Sequence, residues 1–283
     1  MGTSAGSKGP GSGVPFDPPW LDDLAPESDM DVTGGDDSPD DDEQIPKDDG
    51  ANPDELQLSP VIAPPKRFSQ ARSTLTAYSK EPSRDGFRKA MGHYSEKGMG
   101  GARNLATRMR VSTDSGARVA TFLKDVSENS EKLRDWVKEI KSRDLNPNQL
   151  RDLFVQQICP TQGSKEEESC RASLADALSE FLENNPDSDM MSLTDDEIRE
   201  ITKSYIAAEA FSRVYNDIGQ IFERLSASDS VELTEEIRDY LNEDISSEID
   251  RLWKEHTAPS QSDLSKLLSL AIERTFKVYE EEI

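Results

Sequence analysis

Residues 194–225 read TDDEIREITKSYIAAEAFSRVYNDIGQIFERL. Ile198, Ile201, Tyr205, Ala208, Val214, Ile218, Ile221 and Leu225 recur here at helical spacing and share one helix face, whereas a half-buried strand would alternate at every second residue. Thr194 followed by Glu197 is a capping box, in which the hydroxyl takes an early backbone N–H and the carboxylate reaches back to the cap. The stretch predicts a long helix with a defined start.

The same period continues on both sides. Toward the C-terminus, stripes run through Ile237, Tyr240, Leu241, Ile245, Ile249, Leu252 and Trp253, and through Leu264, Leu267, Leu268, Ala271, Phe276 and Tyr279. Toward the N-terminus they run through Leu174, Ala177, Leu178 and Phe181, and through Leu133, Trp136, Val137 and Ile140. Asn146-Pro147 with Gln149 opens a further helix, because the Asn side chain accepts early N–H groups and proline suits the first turn. Leu150, Leu153, Phe154 and Ile158 form its stripe and Pro160 ends it. No segment alternates at period two over a strand's length, so the fold class is all-α.

Charge divides the chain. Its 283 residues carry 57 acidic and 33 basic side chains, a net charge of -24, with 34% hydrophobic content, too little for every part to enter a core. Residues 17–55 hold sixteen acidic residues and one lysine, Lys47, so residues 21–66 are expected to be a disordered acidic and Pro-rich linker. Residues 66–110 reverse the sign, with eleven basic residues against Glu81, Asp85 and Glu96. Phe68, Ala71, Leu75 and Tyr78, then Phe87, Ala90, Met91 and Tyr94, mark two helix faces in this stretch. A glycine turn in GMGGARNLATRMR (98–110) leads into a helix carrying Arg103, Arg108 and Arg110. The expected organisation is a Gly/Pro-rich tail over 1–20, the linker over 21–66, a basic helical segment over 67–110 and an acidic multi-helix domain over 111–283.

The residue inventory argues against an enzyme. His93 and His256 are far apart, and HExxH, GxSxG and metal-spaced CxxC motifs are absent. The two cysteines, Cys159 and Cys170, are expected as reduced, partly buried thiols, with Cys159 on an apolar stripe before proline. No metal site is expected. The large acidic excess disfavours general affinity for nucleic acid or anionic membrane. No apolar run is long enough to span a bilayer, and no secretory signal is visible, so the expected location is cytoplasmic. One alternative remains in the basic stretch, where Arg67, Arg72, Arg88, Lys89, Arg103, Arg108 and Arg110 with the interleaved aromatic residues form a nucleic-acid or partner surface. Against it, the aromatic residues are core and the arginines meet acidic helices of the same chain.

The first twenty residues, MGTSAGSKGPGSGVPFDPPW, have a reading of their own. Removal of Met1 exposes the Gly2 α-amine, whose reference pKa of about 7.7 to 8.0 leaves an appreciable neutral, nucleophilic fraction near neutral pH. The myristoylation pattern fails at Gly6, where Ser or Thr is required. Pro15, Pro18, Pro19 and Trp20 add an extended segment with one aromatic anchor, so the tail reads as a peptide presented to another protein.

Gly2, Gly9-Pro10-Gly11, Pro18-Pro19-Trp20, the acidic spacer, RFSQARSTLTAY (67–78) and GFRKAMGHYSEKGMGGARNLATRM (86–109) together resemble the QatB family of bacterial antiphage Qat defence systems. The resemblance is concentrated in residues 1–20 and 66–110. It implies three partners: an ATPase, a TatD-like nuclease and a QueC-like enzyme that activates a 7-deazaguanine carboxylate with ATP. It further implies that Gly2 is the acceptor of a deazaguanine adduct, with Thr3, Ser4, Gly9, Pro10, Gly11, Pro18, Pro19 and Trp20 recognised by the QueC-like enzyme. No cofactor is expected on the chain itself. A flexible linker of about fifty residues would let the tail reach on the order of 40 Å.

Overall fold

The computed structural model describes residues 65–160, 164–254 and 259–283. Gly2, the rest of the tail, the expected linker up to residue 64 and His256 lie outside these residues. Among the described residues ten α-helices follow one another: α1 (Ser69–Tyr78), α2 (Arg84–His93), α3 (Ala102–Arg108), α4 (Arg110–Ser127), α5 (Arg134–Lys141), α6 (Pro147–Ile158), α7 (Lys165–Asn184), α8 (Asp195–Ile218), α9 (Ala227–Trp253) and α10 (Gln261–Glu280). A π-helical turn, Tyr94–Met99, links α2 to α3, and a 3-10 turn, Gly219–Arg224, follows α8. Among the described residues there is no strand, so the all-α class holds.

Local chemistry sets the starts. Thr194 and Glu197 form the reciprocal capping box of α8, and Asn146 and Gln149 form that of α6, with Pro147 at its first position. Ser164 with Glu167 and Ser260 with Asp263 do the same for α7 and α10, while Ser83 and Ser226 cap α2 and α9 from one side. Each cap satisfies N–H groups that have no intrahelical partner, worth typically about 1 kcal/mol.

The quoted stretch is not one helix to its end. It leaves α-helical geometry at Gly219 and tightens into the 3-10 turn, which lays the Tyr215 ring on Phe222 with centroids 5.3 Å apart and planes 6° from parallel. A Cβ on Gly219 would stand 3.2 Å from the Tyr215 ring. The arginines of residues 102–110 are likewise split: Met109, at φ -91 and ψ 12, breaks the chain so that Arg103 and Arg108 lie on α3 and Arg110 opens α4.

Packing centres on α10 and α8. Helix α10 lies against α4, α3, α9, α2 and the π turn, and α8 lies against α7, α9 and α4. One hydrophobic cluster therefore runs from Phe68 to Tyr279, joining the basic stretch to the acidic helices. Small residues set the approach distances. A Cβ on Gly92 would come within 2.3 Å of the Tyr279 carbonyl oxygen, so α2 meets the α10 backbone directly. Gly116 gives α4 the same intimacy with Ile206 of α8 and Leu268 of α10. Near α5, Trp136, Phe122 and Phe154 pack ring on ring at 5.4 to 5.8 Å and fasten α5 to α4 and α6.

Candidate functional site: an arginine-lined corner and its cavity

The basic stretch does not form one continuous cationic face. Phe68, Tyr78, Phe87 and Tyr94 are buried, between 0% and 4% exposed, so none presents a ring on which a base could stack. Arg88 pairs with Glu282 at 3.1 Å, Arg110 with Asp114 at 3.7 Å, and Arg84 with Glu243 and Asp244. Lys89 and Arg103 are exposed. These contacts match the reading in which the aromatic residues are core and the arginines meet acidic partners of the same chain.

Three of the arginines converge elsewhere. The π turn carries Tyr94 under Phe68, ring centroids 5.6 Å apart, and a Cβ on Gly98 would strike the Phe68 ring at 2.4 Å. Gly100 and Gly101, at φ 82 and 111, then turn the chain through conformations that only glycine adopts cheaply. This geometry sends the Tyr94 hydroxyl to Asp217, donating to Oδ2 at 2.8 Å. Arg72 donates to the Asp217 carbonyl at 2.7 Å. Arg67, Arg108 and Arg213 act on the Asp217 carboxyl by their charge. Burial holds that carboxyl above its ordinary value, although the Tyr94 hydrogen bond and the arginines pull the other way. Arg213 is held in turn by the Arg108 carbonyl, to which it donates at 2.5 Å.

One turn back along α8 lies Glu209, 5% exposed. Its carboxylate accepts from Ser112 of α4 at 2.6 Å, and from Ser169 and Ser173 of α7 at 2.9 and 2.7 Å, with the Cys170 thiol at 3.5 Å. Three helices are thus tied to one buried carboxylate. Burial, reinforced by the charge of Glu209, pushes the Cys170 thiol up to about 12, and burial also raises Cys159. Both cysteines are free and buried, as expected of core thiols, and both are poor nucleophiles at neutral pH. Above Glu209 opens a cavity of about 260 Å³, lined by Arg108, Ser112, Lys165, Glu166, Ser169, Arg213 and Asn216.

Of the residues singled out in the sequence, the corner gathers Arg67, Arg72 and Arg108. Glu209, Arg213 and Asp217 are the additions. They stand at i, i+4 and i+8 on α8, a polar line on a helix otherwise read by its apolar stripe. Ser169 and Ser173 repeat that spacing on α7. Those two periodic polar lines were the available signal.

Among the described residues no group of three or more His, Cys, Asp or Glu is placed to hold a metal ion, and no helix is long and apolar enough to cross a membrane. Comparison with curated proteins and with solved structures finds no match. A family model does match: that of QatB, the Qat anti-phage system associated protein, over residues 100–279. The match overlaps the stretches that carried the sequence resemblance only at residues 100–110, and otherwise rests on the helical remainder. It contains the whole Glu209 cavity and most of the packed body. With more than half of its length matched, the chain belongs to the QatB family of Qat anti-phage system associated proteins.

Proposed function

We propose that this anti-phage defence component is a protein substrate and not an enzyme, and that the modified atom is the α-amine of Gly2. A QueC-like partner activates the carboxylate of a 7-deazaguanine with ATP. The neutral Gly2 amine attacks the activated acyl carbon, an amide bond forms, the activating group leaves with its electron pair, and the nitrogen loses a proton. The observation that carries this reading is the opening MGTSAGSKGPGSGVPFDPPW: a nucleophilic amine without a side chain, followed by slim residues that fit a deep pocket and by the Pro18-Pro19-Trp20 anchor. Thr3 and Ser4 pass through the partner's pocket, and Gly9, Pro10 and Gly11 shape the approach.

The helical body, in this reading, binds the partner proteins: the QueC-like enzyme and, within the same system, the ATPase and the TatD-like nuclease. Family membership supports the defence role, and the acidic net charge of -24 supports basic protein surfaces over membrane as targets. The site of action is the cytoplasm.

The test is genetic. Gly2→Pro replaces the primary amine with a hindered secondary one and should abolish phage resistance in cells carrying the complete system, while protein level and thermal midpoint stay unchanged. Full resistance with Gly2→Pro would end the proposal.

A further inference from the structure

The cations of α5 stand in one line. Arg134, Lys138 and Lys141, at i, i+4 and i+7, fall within about 60° of arc on the helix face, at about 100° per residue. With Asn129, Val137 and Ser142 they line a groove of about 510 Å³ whose lining contains no carboxylate. All three are exposed, and among the described residues none has a carboxylate within 4.0 Å. The neighbouring acids are directed elsewhere: Glu139 pairs with Arg143, Glu128 with Lys124 at 3.8 Å, and Glu131 and Asp135 lie outside the lining. Like charges at i and i+4 weaken a helix, and Arg134 opens α5 at its positive end, so helix stability does not account for the line. Packing into the body does not account for it either, since Val137 alone of the lining is buried.

We propose that this line is the docking surface for an acidic tract of the same chain, Asp36-Asp37-Ser38-Pro39-Asp40-Asp41-Asp42-Glu43. Charge complementarity selects it: residues 17–55 hold sixteen acidic residues against Lys47, and six of them fall in these eight positions. Length permits it. Residues 44–64 join the tract to the first described residue, and these twenty-one residues span up to about 70 Å when extended. A body of this size has a radius of gyration of about 17 Å, so the whole of its surface is within reach. A tether on the same chain also supplies a local concentration that an outside acidic protein must match. Nucleic acid is the weaker occupant. Trp136, the ring of α5, packs on Phe122 and Phe154 at 5.4 and 5.8 Å instead of standing free for a base, and the net charge of -24 opposes the approach of a polyanion. Docking at 36–43 fixes the side of the body from which residues 1–20 are presented.

The experiment uses the full chain, made without the QueC-like partner, so that its outcome does not depend on Gly2. A zero-length carbodiimide reagent joins lysine amines to carboxylates in contact with them, and peptide mass spectrometry reads the joined residues. The sample is an equal mixture of ¹⁴N and ¹⁵N chains. The expected result is Lys138 and Lys141 joined to residues 36–43 in products of a single isotope. The yield should fall about fivefold or more between about 50 and about 500 mM NaCl, as the Debye length shrinks from about 14 to about 4 Å. Arg134→Gln removes a charge but no reactive amine, and should lower the yield about 1.5–5-fold, the scale of one exposed charge contact. Lys266, an exposed lysine of α10 outside the line, is the internal control. Joining to the tract no greater at Lys138 and Lys141 than at Lys266 would overturn the inference, as would products of mixed isotope, which place the tract of a second copy there. Absent joining, with binding of a single-stranded oligonucleotide that Lys138→Glu abolishes, would overturn it in favour of nucleic acid.

Discussion

Replacing Gly92 by alanine tests how the basic stretch joins the helical body. In a helix interior with free space, Gly→Ala stabilises by about 1 kcal/mol. At this position the new Cβ would stand 2.3 Å from the Tyr279 carbonyl oxygen and 3.0 Å from its carbonyl carbon. The obstacle is backbone, and that oxygen also accepts from the Glu282 N–H at 3.2 Å, so a side-chain rotation does not relieve it. Helix α2 must withdraw from α10, loosening Phe87, Ala90 and Met91, each 0% exposed. Overpacking costs about 1–3 kcal/mol, and a backbone clash belongs at the upper end. Setting about 3 against the propensity gain leaves a net loss of about 2 kcal/mol, or a Tm lowered by about 4–8 °C for a body of this size. Gly116→Ala is the control. Its Cβ meets side-chain tips, Ile206 Cδ1 at 2.8 Å and Leu268 Cδ1 at 2.9 Å, which can swing aside, so its change should be smaller. Thermal unfolding followed by circular dichroism measures both. A Gly92→Ala protein as stable as wild type, or more so, would show that α2 is not seated on α10.

Two further outcomes concern the corner. Glu209→Ala leaves the hydroxyls of Ser112, Ser169 and Ser173 without their acceptor; with hydrogen bonds to a charged group worth about 1.5–3 kcal/mol and members of one network not additive, the loss in a urea titration should be about 3 kcal/mol, and a loss below about 1 kcal/mol would contradict the role given to this carboxylate. Burial raises the Asp217 carboxyl in the folded state, so the native protein binds more protons than the unfolded chain just above the ordinary carboxylate range. Its contribution to stability therefore falls as pH rises from about 4 through the raised value. Asp217→Asn removes that slope, and its disadvantage relative to wild type should be greatest at low pH and shrink toward neutrality; a disadvantage that grows with pH would reverse the sign of the argument.

The helices were legible because their faces and caps are local. Thr194 with Glu197 and Asn146 with Gln149 sit where the spacing placed them, and every residue of the Leu174, Ala177, Leu178, Phe181 stripe is buried. The break at Gly219 was not legible, because the apolar period runs through it to Ile221 and only the stacking of Tyr215 on Phe222 shows the tighter turn. The corner was half legible. Arg67, Arg72 and Arg108 stood out by charge, but what gathers them is one residue more than a hundred positions along the chain, Asp217, whose carboxyl faces Arg67 and Arg108 and whose backbone carbonyl takes Arg72, and its neighbours Glu209 and Arg213 look in sequence like the solvated face of a long helix. Charge and period say which residues share a face; they do not say which polar face another helix covers.

The most direct test of the account is the mass of the N-terminal peptide from protein produced with and without its QueC-like neighbour. The expected result is an α-amine freed of Met1 and carrying a deazaguanine-sized amide adduct on Gly2 only when the neighbour is active. An unmodified Gly2 in both preparations, made in cells that resist phage, would contradict it.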